Sequence, residues 1–67
     1  MSLDYNRLWK LLIDKGLTKT QLREQAGFST RTLAAMNKNE PINLKYIESI
    51  CEVLSCRIED VVEYKQD

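Results

Sequence analysis

The chain predicts an all-α fold, compact and built from five helices, and three observations predict it. Apolar residues recur three and four apart, as in Leu8, Leu11 and Leu12, in Leu22 and Ala26, in Leu33 and Met36, and in Leu44, Ile47, Ile50, Cys51 and Leu54. Residues that accept a hydrogen bond from a first-turn amide (Asp4, Thr18, Ser29, Asn43) stand in front of these runs. Gly16 and Gly27 follow two of them, where a left-handed backbone is usually needed, and Pro41 separates two others.

Each helix follows from these signals. The first is expected over 4–15, with Asp4 as cap, Gly16 as stop and Leu8, Leu11 and Leu12 facing the core. The second, 19–26, starts behind Thr18 and ends at Gly27, and the third, 30–38, starts behind Ser29 and stops before Asn39-Glu40-Pro41. The fourth, 44–54, is capped by Asn43. A short fifth, 58–64, offers Ile58, Val61 and Val62 to the core. Tyr5, Trp9 and Ile13 form a second stripe on the first helix, and Val53, Val61, Val62 and Tyr64 an apolar excess near the C-terminal end. One reading packs the first and last helices together as core. The other leaves Tyr5, Trp9, Ile13 and Tyr64 as a self-association surface.

The 67 residues and 43% hydrophobic content suit a single folded domain, 1–67. A core of this size supplies about 3–5 kcal/mol, so dimerisation would also help stability. No membrane-spanning run and no signal segment is read, and a cytoplasmic location is expected. Cys51 and Cys56 do not match a zinc or redox spacing and are read as free thiols. No metal, cofactor or small-molecule ligand is expected. No catalytic residue is expected either: the chain has no histidine for proton transfer near neutral pH and no glycine-rich phosphate loop. Glu48 with Glu52, and Glu59, Asp60 and Glu63, read as solvated faces.

The formal net charge is zero, but it is unevenly spread. Residues 1–38 hold seven cations against three anions, net +4, and residues 39–67 hold three against seven, net −4. The basic half contains two short helices joined by a glycine turn, and the second of them turns Thr30, Arg31, Ala34, Ala35 and Lys38 outward. A small, polar, basic outer face on such a helix suits the DNA major groove. Because screening acts within about 8 Å at physiological salt, a neutral molecule can bind DNA through one basic end.

The arrangement of Leu22, Ala26, Gly27, Phe28, Ser29, Leu33 and Met36 resembles the lambda-repressor and Cro-like helix-turn-helix family. Gly16-Leu17-Thr18 is similar to its junction into the second helix, and Asn43-Leu44 through Leu54 with Asp60-Val61-Val62 to its fourth and fifth helices, so that the resemblance covers about 4–64. It implies that the helix beginning near Thr30 lies in the major groove. It places Thr30, Arg31 and Ala35 among base-reading positions and Thr18, Lys19, Lys38 and Asn39 at phosphates. The residues suit these roles on their own chemistry. The Arg31 fork can span guanine O6 and N7, Thr30 can read a base edge, and Ala34 and Ala35 can meet a thymine methyl. Thr18 and Lys19 sit at a helix start, which favours an anion. Arg23, Arg57 and Asn37 depart from the family pattern: Arg23 stands where a small residue is usual, Arg57 where a serine-like cap would suit, and Asn37 where the position is often apolar.

The expected function is sequence-specific DNA binding by a transcriptional regulator without a fused sensor domain. It would act as a homodimer at least on DNA, because one recognition helix covers few bases. The alternative is a protein-interaction module, an adaptor or toxin-neutralising partner, that keeps the fold without reading DNA.

Overall fold

A computed structural model describes residues 2–65 as four α-helices, one 3-10 turn and a two-stranded ribbon. The elements run β1 (Ser2–Asp4), α1 (Asn6–Lys15), α2 (Lys19–Ala26), α3 (Thr30–Asn37), α4 (Leu44–Leu54), the 3-10 turn (Ile58–Asp60) and β2 (Glu63–Lys65). Tyr5, Leu8 and Leu12 from α1 and its approach meet Leu22, Phe28 and Met36 from the central pair. Ile47, Ile50 and Leu54 of α4, with Val61, close the core from the other side. The tilted rings of Phe28 and Tyr46, 6.2 Å apart, join the turn after α2 to α4.

The caps follow the sequence. Gly16 (φ 69°) and Gly27 (φ 78°) take the left-handed conformation behind α1 and α2. Asn43 Oδ1 accepts from the Lys45 amide at 2.9 Å.

Two expectations are corrected. The fold is not all-α, because β1 and β2 pair antiparallel with Leu3 opposite Tyr64 and Asp4 opposite Glu63. The expected fifth helix is a 3-10 turn, with residues 63–65 extended. A helix over 58–64 would be too short to hold itself, and β-branched Val61 and Val62 favour the extended chain that the N-terminal strand completes. Asp4 ends β1 and Tyr5 is the residue before α1. Asp4 still serves the helix start, since its Oδ1 accepts from the Asn6 amide at 2.8 Å, and its Oδ2 also faces Lys65 Nζ at 3.1 Å.

The core assignment changes at its edges. Leu44 (70% exposed) and Ile58 (50%) point outward, while Leu11 and Cys51 are half-buried. The Tyr5–Trp9–Ile13 stripe divides: Tyr5 is buried, Trp9 half-buried and Ile13 77% exposed. Tyr5 is therefore corrected from a surface residue to a core one. Its position ahead of α1 points the ring inward, where its hydroxyl donates to the Glu40 carbonyl at 2.7 Å.

Candidate nucleic-acid interface

The interface candidate is built on α2, the Gly27 turn and α3. Thr18 Oγ1 accepts from the Gln21 amide at 3.1 Å, and Gln21 Oε1 accepts from the Thr18 amide at 2.9 Å. This reciprocal pair satisfies two end-of-helix donors, and Gln21's part in it went unremarked in the sequence reading. Because Thr18 accepts with its oxygen, its hydroxyl proton stays available to an outside acceptor. At Gly27 the chain leaves α2, with the Gly27 and Phe28 amides both donating to the Arg23 carbonyl at 2.9 and 3.3 Å. Ser29 Oγ then accepts from the Thr32 amide at 3.2 Å and starts α3.

On α3 and at its C-cap, Lys38, the residues Thr30, Arg31, Ala34 and Lys38 are exposed and Ala35 is half-buried, while Met36 is fully buried and Leu33 packs against the core. The outward stripe thus carries one hydroxyl, two small side chains and two cations. Behind α3, Asn39 takes a left-handed conformation (φ 58°). Its amide donates to Met36 O at 3.0 Å and the Glu40 amide to Ala35 O at 2.9 Å, which closes the helix C-terminus. Asn39, read from the sequence as a phosphate contact, therefore also ends the helix, and its side chain remains exposed.

The cations divide by what they already hold. Arg7 pairs with Glu63 at 3.3 Å and Lys65 with Asp4 at 3.1 Å. Arg23 is half-buried and donates through Nη1 to Phe28 O at 3.3 Å, so this unusual residue ties α2 to the turn. Lys19 donates to Asn37 Oδ1 at 2.8 Å and sits 4.1 Å from the Trp9 ring centroid. Among the described residues, neither Arg31 nor Lys38 is ion-paired. The remaining departure, Arg57, has its amide capped by Asp60 Oδ2 at 3.2 Å. Asn37 was not read as part of any interface, and Trp9 was read only as part of a self-association surface. The only sequence signal was that Asn37 is polar where an apolar residue is common, because its partner lies 18 positions away.

Burial pushes the Cys51 thiol up, and burial together with the neighbouring Cys51 pushes Cys56 up to about 11. Both are free thiols, protonated at neutral pH. Among the described residues no helix is long and apolar enough to cross a membrane.

A capped helix, a glycine turn and a second helix that shows a polar, basic stripe define a helix-turn-helix protein. The chain belongs to the Cro/C1-type helix-turn-helix DNA-binding domain family, whose model matches residues 7–67. It is 30% identical over 59 residues to the HTH-type transcriptional regulator YozG of Bacillus subtilis (strain 168), covering 85% of this chain and 70% of that protein. The crystal structure of the transcriptional regulator VanUg (form II) superposes with a TM-score of 0.94 at 42% identity, over 98% of this chain and 88% of that one. Membership of this family places the chain among helix-turn-helix transcriptional regulators and makes its fold that of a DNA-binding domain.

Proposed function

We propose that the protein binds a specific operator by laying α3 in the major groove. The observation that carries this reading is the α3 stripe, in which Thr30, Arg31, Ala34 and Lys38 are exposed together and the two cations have no ion-pair partner among the described residues. Arg31 reads guanine through its fork, Thr30 reads a base edge, and Ala34 and the exposed part of Ala35 meet a thymine methyl. Thr18, Lys38 and Asn39 bracket α3 with phosphate contacts. Lys19 adds charge to the same end, although its ammonium already holds two intramolecular partners.

The protein works as a dimer on this reading. The domain is 33 Å in its longest dimension. That length suits one copy per half-site, with half-sites about 34 Å apart along the DNA. Ile13 and Tyr64, 77% and 58% exposed, are the members of the expected interface still offered for self-association.

The test is selection from a randomised duplex pool at about 100 mM salt, repeated with Arg31→Ala. The expected result is an inverted repeat with half-sites about 10 base pairs apart, with one position per half relaxed by the substitution. A single enriched half-site would mean a monomeric reader. No enrichment by folded protein would transfer the role to a protein partner.

A further inference from the structure

Two side chains of the α1 region reach the far end of the recognition helix by separate routes. Trp9 supports the Lys19 ammonium 4.1 Å from its ring centroid, and that ammonium donates to Asn37 Oδ1 at 2.8 Å. Asn37 is the last residue of α3. Tyr5, whose ring lies 6.4 Å from that of Trp9, donates its hydroxyl to the Glu40 carbonyl just beyond the helix. At its other end α3 is already set by the Gly27 turn and the Ser29 cap. A helix of eight residues is about 12 Å long. Holding its second end therefore fixes where its side chains point, and base readout requires placement within fractions of an ångström.

We propose that Lys19, clamped between Trp9 and Asn37, is a positioning residue that aims α3 at the bases, and is not a phosphate ligand. This rests on the DNA-binding reading of α3. To reach a phosphate the ammonium must leave both a hydrogen bond and an aromatic face, and exchanging them for a screened phosphate gains little. The cluster also accounts for a polar residue at 37: an apolar side chain there could not accept from Lys19.

The two roles differ in what they do to binding. A phosphate ligand contributes equally on any sequence and steepens the salt dependence by about 0.9 log unit per log unit of salt. A positioning residue acts on the preference for the selected duplex over a random one, and its neutral partner Asn37 shares that effect without any effect on the slope. The experiment measures both quantities by fluorescence anisotropy for the whole chain and for Lys19→Met, Asn37→Ala, Asn37→Asp and the Lys19→Met/Asn37→Ala double variant, with folding checked by circular dichroism.

The expected result is an about fivefold loss of preference in each of Lys19→Met and Asn37→Ala, the scale of one partly exposed cation–π and hydrogen-bond pair. The double variant should lose no more than either single one. Asn37→Asp, which keeps an oxygen for Lys19, should retain the preference while weakening both duplexes alike through its added charge. Asn37→Ala should keep the wild-type salt slope, while Lys19→Met and Asn37→Asp, each of which makes the same end one charge more negative, should both shift it. A Lys19→Met protein with intact preference and a slope smaller by about 0.9 per protomer, beside a silent Asn37→Ala, would overturn the proposal and make Lys19 a phosphate contact. If Lys19→Met does not fold, Asn37→Ala decides alone, since alanine favours the helix and removes only the acceptor. A folded wild type that prefers no duplex would defeat the DNA reading and this proposal together, an outcome distinct from variants that match a discriminating wild type.

Discussion

Arg31 and Lys38 lie on one outward face, and under the proposed reading they serve different terms of binding. Arg31→Ala should cost about 1–3 kcal/mol at one base position of each half-site and little elsewhere. Lys38→Ala should weaken selected and random duplexes alike and reduce the salt slope by about 0.9 for each bound protomer. Titrations at several salt concentrations separate the two. Asn39 ends α3 through its backbone and is proposed to meet a phosphate with its side chain, and substitution can divide the two. Asn39→Gly keeps the left-handed turn (φ 58°) without its side chain, so thermal stability should hold or rise while DNA affinity falls. Asn39→Ala should lower stability by about 1 kcal/mol. Equal affinities for the glycine variant and the wild type would remove Asn39 from the phosphate contacts. Away from this face, Cys56, pushed up to about 11 by burial and by Cys51, and Cys51, raised by burial, should alkylate slowly with iodoacetamide at pH 7 in the native state and quickly once unfolded.

At the scale of elements, the ribbon is a clasp between the chain's two ends. Asp4 holds the start of α1 through the Asn6 amide and holds β2 through Lys65. The Asn6 hydrogen bond, then the Lys65 contact, keep its carboxyl below its ordinary value of 3.8. A carboxyl lowered by folding stabilises the native state above its unfolded value, and that contribution fades as pH falls through the lower native value. Asp4→Asn should therefore reduce the melting temperature at pH 7, and the gap should close on acidification below about pH 4. A gap that persisted at low pH would point to lost packing, not lost charge. The turn between α2 and α3 is an element with its own signature. Space around Gly27 is open, with nothing within 4 Å of an added Cβ, but its φ of 78° strains any other side chain. Gly27→Ala should cost about 1 kcal/mol in chemical denaturation through the backbone alone.

For the molecule as a whole, charge is balanced but polarised, with +4 on residues 1–38 and −4 on 39–67. The central pair α2–α3, which carries the outward basic stripe, belongs to the first of these halves. The acidic segment contributes partners for intramolecular pairing instead, as Glu63 does for Arg7. Binding should therefore weaken steeply with salt despite zero net charge. Sedimentation with and without operator should show dimer on the DNA. Tyr64→Ser together with Ile13→Ser should weaken the bound dimer if these exposed side chains form its interface.

The elements whose information is local could be read along the chain. Helix periodicity, the Thr18, Ser29 and Asn43 caps and the two glycine stops each depend on residues within one turn of helix, so α2, α3, α4 and the outward stripe of α3 were legible. The ribbon was not, because a three-residue strand exists only where a distant strand supplies its hydrogen bonds, and Ser2–Asp4 and Glu63–Lys65 are some sixty positions apart. The same reason hid the Lys19–Asn37 bond and the burial of Tyr5, whose carbonyl partner is 35 residues away. The sequence by itself determined which residues form the helix pair and what chemistry α3 presents. Only the tertiary structure decided which cations are left unpaired, which aromatic is core and how the end of α3 is held, since those depend on neighbours that the chain's order does not place together.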